Sequence, residues 1–405
     1  MIAAPLPELS PADREEMHAL YRELHRDPEL SMQEHRTANR IEAELDALGI
    51  EHFRCGGTGV VGLLRNGDGP TVAWRADTDG LPIEEATGLS YASTARGTLE
   101  DGTEVPVMHG CGHDTHVTAA VFAARLLARH RENWAGTVVF VFQPGEETGA
   151  GARAMVADGL WDRAPQPVAV YGQHVMPRPA GRVQVSSGTA MAMADALRVT
   201  VFGRQTHGSA PQTGIDPIVI AAAIVGRLQT IVSRELDPAD PAVVTVGTFH
   251  AGLKENIIPE RAEFTLNIRT FTQPVRDRVL AAVTRIVRAE AAAAAAPEPT
   301  IERSYDFPLC YNDPDETERA VAALRAALGH HSVAVVPPQM GSEDFGALAQ
   351  AIDVPSVYWM FGGFDPDTAE PPMNHSPHFG PALEPTLSTG VRAAAAVLLA
   401  RLGAR

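Results

Sequence analysis

The stretch TVAWRADTDG, residues 71–80, is an apolar run that ends in the two aspartates Asp77 and Asp79. Similar apolar runs occur elsewhere, as GVVGLL at 59–64, GTVVFVFQP at 136–144 and PVAVYGQHV at 167–175. Helical stretches such as 115–130 separate these runs, and amphipathic patterns predict earlier helices at 11–27 and 33–48. Short β-rich runs that alternate with helices predict an α/β fold built on a largely parallel sheet.

The pattern of the chain changes at about residue 187. Strands and helices then follow in the order βαββαβ, at 195–203, 216–235, 242–250, 262–271, 274–296 and 300–307. This order predicts a ferredoxin-like α+β domain. The later runs SVAVVP and SVYWMF and a helix at 387–402 return to the earlier pattern. We therefore expect a mainly parallel-sheet α/β domain with helices on both faces, formed by 1–186 and 303–405 and interrupted by an inserted domain at 187–302.

The composition is that of a folded, acidic protein. Hydrophobic residues make up 45% of the 405 residues, and the formal net charge is −17 at pH 7. Nucleic acids and anionic membranes bind basic faces, so we expect neither as a partner. No run reaches 18 apolar residues, and the N-terminus lacks a basic segment followed by an apolar core. We therefore expect neither a membrane-spanning helix nor export.

The three cysteines are Cys55, Cys111 and Cys310. An odd number of widely spaced cysteines does not predict a disulfide framework. A reducing compartment fits them best, so we expect the protein in the cytoplasm, where a free cysteine can serve as a metal ligand.

Ligand-type side chains follow several predicted strands at the point where each strand ends. Asp77 and Asp79 end the first run, Glu146 and Glu147 follow the next, and His174 ends the third. In open α/β sheets, sites form beyond the carboxyl ends of the strands. Any one of these residues could be a helix cap or a solvated side chain, but together they predict a site.

The segment MHGCGHDTHVT, residues 108–118, adds further candidate ligands just before a helix. Cys111 and His113 lie where backbone N–H groups and the helix dipole favour a thiolate. A thiolate with an imidazole suits Zn²⁺ or another first-row divalent ion. The alternative is a buried cysteine beside Asp114 as a helix cap. We expect His109 and His116 to pack or to support the ligands.

The adjacent carboxylates of GEE, residues 145–147, have a mechanistic interpretation. Neighbouring residues at a strand end project differently, so one can bind a metal while the other faces the substrate. The second carboxylate can then take a proton from an activated water and return it to a leaving amine. Without this context, two adjacent glutamates are more often solvated loop residues.

Three later segments contribute further candidates. MNHSPHF offers His375 and His378, either of which could approach the metal. QTHGSAPQTG places His207 in a loop of the inserted domain, where it could stabilise an oxyanion or be an ordinary polar residue. Arg269, in LNIRTF, could bind a carboxylate bidentately or be a solvated strand residue.

Together these segments resemble peptidase family M20, specifically its amidohydrolase branch of hippurate hydrolases, N-acyl-amino-acid amidohydrolases and auxin-conjugate hydrolases. The resemblance extends over nearly the whole chain. It is carried by LHRDPELSMQEHRTA, WRADTDGLPIEE, MHGCGHDTHVTAA, FQPGEETGAGA, HGSAPQTGIDPI, ENIIPERAEF and NHSPHF.

The resemblance implies a binuclear site for Mn²⁺, Zn²⁺ or a similar ion such as Co²⁺ or Ni²⁺. The positions that match the family's metal ligands are Cys111, His113, Glu147, His174 and His375, with the cysteine as the bridge. Glu146 matches the general base, and Asp79, with Asp114, would support the ligands.

The resemblance also implies a role for the inserted domain. In the family this domain usually mediates homodimerisation, and its loop histidine, here His207, reaches the partner's active site. Asn256 and Arg269 fall where the family contacts the amino-acid carboxylate of the substrate. Asp77 replaces the histidine of the peptidase branches, which favours the amidohydrolase branch.

Two departures from the family pattern place the acyl pocket in doubt. Gln212 replaces a second histidine of the inserted domain's loop, and GEETGAGA differs from the commoner AEEGGGGA.

The expected reaction is cleavage of the amide of a small N-acyl amino acid. The alternatives are a dipeptidase or carboxypeptidase that uses the same site, and a non-catalytic metal-binding relative.

Overall fold

The computed structural model describes residues 8–403, and the chain divides into two compact units. The larger unit comprises Met1–Ala190, Cys310–Pro338 and Asp344–Arg405. The smaller unit comprises Met191–Leu309 and Gln339–Glu343.

The helices of the described residues are α1 (Pro11–Arg26), α2 (His35–Ala47), α3 (His113–Arg129), α4 (Gly151–Ala157), α5 (Leu160–Arg163), α6 (Pro217–Thr230), α7 (Gln273–Ala293), α8 (Pro314–Leu328), α9 (Gly346–Gln350) and α10 (Thr386–Arg401). The strands are β1 (Glu51–Cys55), β2 (Gly59–Asn66), β3 (Thr71–Asp77), β4 (Arg96–Thr98), β5 (Glu104–Pro106), β6 (Gly136–Gln143), β7 (Val170–Pro179), β8 (Val183–Val185), β9 (Gly188–Met191), β10 (Met193–Phe202), β11 (Thr206–His207), β12 (Ala242–Ala251), β13 (Ile257–Ile258), β14 (Arg261–Thr270), β15 (Thr300–Phe307), β16 (Cys310–Asn312), β17 (Val333–Val335) and β18 (Ser356–Phe364).

The larger unit is built on an eight-stranded sheet with the order β1-β2-β6-β3-β7-β18-β8-β17. The central strands β6, β3, β7 and β18 run parallel, and β8 and β17 form a further parallel pair. Antiparallel pairing joins β1 to β2, β2 to β6 and β18 to β8. The predicted α/β fold with a large, mostly parallel sheet is therefore confirmed.

Strand β6 shows why this sequence forms a covered central strand. Five consecutive residues of the strand, 138–142, are valine or phenylalanine and are all buried. Val138, Phe140 and Phe142 pack in the main hydrophobic core together with residues of α3 and α10. Val139 and Val141 point to the opposite face, because side chains alternate along a strand. A continuous apolar run is typical of a strand covered on both faces.

The parallel strands bring the candidate ligands to one edge of the sheet. Asp77, at the end of β3, pairs in register with Gln143 at the end of β6. His174 lies on β7 and pairs with Met360 of β18. The carboxyl ends of these strands therefore meet, and the loops that follow them can form a single site.

The smaller unit contains a four-stranded antiparallel sheet with the order β12-β14-β10-β15. Helices α6 and α7 pack on this sheet, and their buried residues form a separate hydrophobic core with it. Strands β12 and β15 are the edges of the sheet.

One helical stretch in the described part of the chain, Pro217–Glu235, is long and apolar enough to cross a membrane by length and composition. The sequence expectation counted only uninterrupted apolar runs and so did not include it. Ile220, Ile224 and Leu228 of this stretch pack in the core of the smaller unit. Core helices of folded domains meet the same criterion, so the stretch is weak evidence for a membrane.

Candidate metal centre

The loop before α3 places the first candidate ligands against β7. Gly112 has a φ of 84°, in the left-handed region, and a Cβ there would lie 2.4 Å from Val175 Cγ1. Only glycine permits this close approach of the loop to the strand. The approach puts Cys111 beside His174, with 3.3 Å between Sγ and Nε2.

Six of the predicted site residues form one continuous cluster. In each of three groups, one potential ligand atom per residue lies within 4.8 Å of the others: Cys111, His113 and His174; Cys111, Glu147 and His375; and His113, Glu146 and Glu147. The groups share members and draw on four separate segments of the larger unit. Thiolate, imidazole and carboxylate together form a donor set for first-row divalent ions.

Two orphaned polar atoms indicate that this cluster fits a cation. His113 Nε2 and Glu147 Oε1 are buried and have no hydrogen-bond partner in the described residues. His113 Nδ1 lies 2.9 Å from the carbonyl oxygen of Asp79, which can only accept, so Nδ1 carries the proton. In the neutral ring, the lone pair of Nε2 therefore faces the cluster, where a bound metal would replace the second proton. A buried atom without a partner is unfavourable, and a bound metal would satisfy both atoms.

The electrostatic field of the cluster also favours a cation. Burial alone would lower the pKa of His113, but the carboxylates of Asp77, Asp79 and Glu147 raise it to about 10. Burial and the carboxylates of Glu147 and Glu146 raise the pKa of Cys111 well above its ordinary value. The sequence argument that the helix terminus favours a thiolate is therefore outweighed. A positive ion is needed to make the thiolate the stable form.

The residues behind the cluster have distinct contacts. Asp79 Oδ1 lies 3.1 Å from His113 Nδ1, and Asp79 Oδ2 accepts hydrogen bonds from Ser31 Oγ at 2.6 Å and the Glu147 N–H at 3.1 Å. Asp114 instead turns to His25, with 2.6 Å between Oδ2 and Nδ1. Asp79 thus orients a candidate ligand directly, whereas Asp114 joins α3 to α1.

The other two histidines of the MHGCGHDTH segment differ from each other. His116 Nδ1 is hydrogen-bonded to Asp77, and its Nε2 accepts from the Val175 N–H at 2.8 Å. His116 thus joins α3 to β3 and β7. His109 is 1% exposed, and neither ring nitrogen has a hydrogen-bond partner within residues 8–403.

The structure distinguishes between the two histidines of MNHSPHF. His375 belongs to the cluster, with 3.4 Å between its Nε2 and Glu147 Oε1. His378 Nδ1 bonds the carbonyl oxygen of Ala86 at 2.7 Å instead. Sequence reasoning missed Asn374, whose amide nitrogen donates to the Cys111 carbonyl oxygen at 3.2 Å. Its position next to His375 was the only available signal.

In the smaller unit, the structure brings His207 and Asn256 together. The short strands β11 and β13 pair antiparallel, and the Gly208 N–H donates to the Asn256 carbonyl oxygen at 2.8 Å. Both side chains are exposed. The Ser209 N–H lies 3.1 Å from His207 Nδ1 and must donate to it. Nε2 of the neutral ring therefore carries the proton and can donate a hydrogen bond.

Arg269 is half-buried on β14. Its guanidinium donates to Asn267 Oδ1 at 2.8 Å, Ser342 Oγ at 2.9 Å and the Met340 carbonyl oxygen at 3.2 Å. Burial lowers the pKa of Arg269. Among the described residues it forms no ion pair with a carboxylate, so its charge is held in place by neutral groups only.

Comparison with known proteins places the chain among metal-dependent hydrolases. The sequence profile of peptidase family M20/M25/M40 matches residues 73–400. The chain is 35% identical to thermostable carboxypeptidase 2 of Saccharolobus solfataricus, over 84% of each sequence. It is also 35% identical to the hippurate hydrolase of Campylobacter jejuni, over 83% of this chain and 85% of that protein.

A solved structure agrees with these matches. The crystal structure of a Bacillus subtilis protein, named a dinuclear metal-binding peptidase from the M20 family, superposes with a TM-score of 0.78. The two are 31% identical, and the match covers 96% of this chain and 99% of that one. These findings confirm the resemblance inferred from the sequence motifs.

Proposed function

Because the chain belongs to peptidase family M20/M25/M40, we propose that it is a metal-dependent amidohydrolase that cleaves a small N-acyl amino acid into a carboxylate and a free amino acid. The observation that carries this proposal is the buried Glu146 carboxylate, grouped with His113 and Glu147. A protein that only binds a metal has no need of a further carboxylate at that point. Relatives named hippurate hydrolase and N-acetylcysteine deacetylase support the substrate class.

We assign the metal ligands to two divalent ions, Mn²⁺ or Zn²⁺ or a similar ion such as Co²⁺ or Ni²⁺. The assigned ligands are Cys111, His113, Glu147, His174 and His375. Two of the groups together contain all five assigned ligands, and Cys111 is the one residue that these two groups share, which supports it as the bridge. When bound, the ions supply Lewis acidity toward a water molecule and toward the amide carbonyl.

In this proposal Glu146 is the general base and later the general acid. Its carboxylate takes a proton from the attacking water and gives it to the amine that leaves as the amide bond breaks. His207 of the partner subunit donates its Nε2 proton in a hydrogen bond to the oxyanion that forms at the carbonyl. The tautomer set by the Ser209 N–H suits this donor role.

The amino-acid carboxylate of the substrate is the proposed ligand of Arg269, with Asn256 as a second contact. A guanidinium binds a carboxylate through two parallel hydrogen bonds. The neutral partners of Arg269 orient it without neutralising its charge. This supports a recognition role for a substrate that keeps a free carboxylate.

We propose that the smaller unit is a ferredoxin-like domain through which two subunits form a homodimer. Its strand order agrees with that fold, and the backbone of its edge strand β12 can pair with another strand. Beside this edge, Val243 and Phe249 are exposed, and on α6 the side chains of Ile218 and Val219 are exposed as well. An apolar surface next to a strand edge is typical of an interface between subunits.

The cytoplasm remains the proposed location. All three cysteines are buried, and none of them forms a disulfide within residues 8–403, which supports a reducing compartment. The −17 charge supports the expectation that neither nucleic acid nor an anionic membrane is a partner.

A carboxypeptidase is the second candidate, favoured by the similarity to the enzyme of that name from Saccharolobus solfataricus. The test is a panel of N-acetyl and N-benzoyl amino acids beside unblocked dipeptides and longer peptides. The metal-free protein is reloaded separately with Mn²⁺, Zn²⁺ and Co²⁺. Preferred cleavage of blocked amino acids supports the proposal, and preferred cleavage of unblocked peptides supports the carboxypeptidase. Full metal binding without turnover of any amide would leave a non-catalytic relative.

A further inference from the structure

Glu34 is a fully buried carboxylate that the proposed mechanism does not use. It precedes α2 at the N-cap position, but its side chain makes no capping hydrogen bond to the helix. Glu29 forms the side-chain hydrogen bonds to the first turn of α2 instead. Its Oε2 accepts from the Thr37 N–H at 2.9 Å and from the Thr37 hydroxyl at 3.1 Å. The carboxylate of Glu34 is therefore available for contacts distant in sequence.

Those contacts reach the loop that carries the proposed general base. Glu34 Oε1 accepts from the Gly145 N–H at 2.8 Å and from the Met32 N–H at 2.9 Å, and Oε2 accepts from the Thr58 hydroxyl. Gly145 immediately precedes Glu146 in the chain. The two N–H groups bond the same buried oxygen of Glu34, so this oxygen fixes the backbone immediately before Glu146.

Gly145 has a backbone conformation and a close contact that favour glycine at this position. Its φ is 56°, in the left-handed region, and a Cβ there would lie 2.6 Å from Met32 Sδ. Met32 itself has a φ of 63°, which is uncommon for a residue other than glycine. The strained segment at Met32 and the turn at Gly145 are thus packed together, and Glu34 bonds the N–H of both.

On the other side of Glu146, the backbone is held by Asp79, which is in turn bonded by Ser31. The Glu147 N–H donates to Asp79 Oδ2 at 3.1 Å, and Ser31 Oγ donates to the same oxygen at 2.6 Å. Glu146 therefore lies between two backbone N–H groups that are each bonded to a buried carboxylate. Such anchoring sets the direction of the side chain between them.

We propose that Glu34 is a positioning residue, whose carboxylate fixes Gly145 and thereby orients Glu146 and Glu147 for the reaction. This inference rests on the proposed function for the role of Glu146, but the contact itself does not.

The test compares Glu34→Ala and Glu34→Gln with Glu29→Ala, all measured as metal-loaded proteins. Glu29 is the matched control, because it is a buried carboxylate nearby that accepts from a backbone N–H and a threonine hydroxyl, but not from the loop that carries Glu146. We expect Glu34→Ala to lower kcat about 10- to 100-fold. We expect KM to change by less than about threefold, because the substrate contacts lie elsewhere.

Glu34→Gln should recover most of this loss, since its amide oxygen can still accept from both N–H groups and its amide nitrogen can donate to Thr58. Glu29→Ala should lower Tm as much as Glu34→Ala but keep kcat. Hydrogen exchange measured by mass spectrometry provides a second readout. Exchange in residues 144–150 should accelerate in Glu34→Ala and remain as in the wild type in Glu29→Ala.

Equal losses of kcat in the two alanine variants, or a Glu34→Gln variant no better than Glu34→Ala, would overturn the inference. Unchanged exchange of residues 144–150 in Glu34→Ala would overturn it as well. If the wild type cleaves no amide, the proposed function fails, and the exchange data still decide whether Glu34 holds the loop.

Discussion

Three proposed metal ligands of the larger unit and two proposed functional residues of the smaller unit have opposite surroundings. Cys111, His113 and His174 are 7%, 0% and 7% exposed, and the Nδ1 atoms of the two histidines bond the carbonyl oxygens of Asp79 and Val175. His207 and Asn256 are exposed, each on the short β11–β13 ribbon or next to it. A buried charged cluster is organised by its own unit, whereas an exposed donor becomes strong only when another surface excludes water from it. This contrast predicts different responses to the same experiments.

Removal of the metal should have the largest effect. Dialysis against a chelator should lower turnover by more than about 10³-fold, because the remaining groups cannot activate water at neutral pH. Mn²⁺ or Zn²⁺ should restore activity, and metal content is measured in parallel. The His207→Ala variant should bind as much metal as the wild type. Loss of metal from His207→Ala would show that metal binding by the larger unit also depends on His207.

Glu146→Gln should have the next largest effect on turnover. The amide has the shape of the carboxylate but cannot accept the proton, so kcat should fall about 10³-fold while both metals remain. Steady-state kinetics and metal analysis check this. Glu132→Gln, at an exposed glutamate of the same unit, is the control and should have wild-type kcat. Near-normal turnover in Glu146→Gln would exclude it as the base.

His207→Ala should lower kcat about 10²-fold, as expected for the loss of one oxyanion donor. The exposed His330 of the larger unit is the control and should tolerate alanine. The sharper measurement mixes subunits of the Glu146→Gln and His207→Ala variants. If His207 serves the partner's site, the mixture should regain about a quarter of wild-type activity, since half of randomly mixed dimers contain both variants and each has one intact site. An inactive mixture would show that His207 does not act across the interface.

Arg269→Lys should affect binding more than chemistry. Lysine keeps the charge but loses the planar pair of donors, so KM should rise about 10-fold for substrates with a free carboxylate while kcat changes little. Substrates in which an amide replaces this carboxylate should show no such rise in KM. Arg198→Lys is the control, because Arg198 is exposed and pairs with Glu263. An equal rise in KM for both kinds of substrate would remove Arg269 from carboxylate recognition.

The sequence predicted the parts of this site that depend on strand direction. Parallel strands must end at one edge, so Glu147 and His174 could be placed near each other before the structure was known. The structure then brought them together with Cys111, His113 and His375. Strand order was sufficient for Glu147 and His174, whereas the choice of His375 over His378 came from the family resemblance.

The contacts behind the cluster could not be predicted in the same way. Ser31 and Glu34 lie between two helices, more than 40 residues before Asp79 and more than 100 before Gly145. Their hydrogen bonds depend on how a loop packs against the sheet, which no local pattern records. Burial and carboxylates on other segments raise the pKa of Cys111, and the local helix argument did not include either effect.

The last prediction concerns stability in the larger unit and leaves turnover within about twofold of wild type. Burial alone would lower the pKa of His25, but the carboxylates of Asp114 and Glu85 raise it to about 9 from 6.5. A raised folded-state pKa means that the stabilisation is fully present below pH 6.5 and is lost as the pH rises through about 9. The Tm of the wild type should therefore exceed that of His25→Gln at pH 6, and the difference should narrow by pH 9.5. Tyr91→Leu removes a ring contact with His25 but no charge in this range, so its Tm deficit should stay constant. A His25→Gln deficit that is equally constant would show that packing, and not the ion pairs, is what His25 contributes.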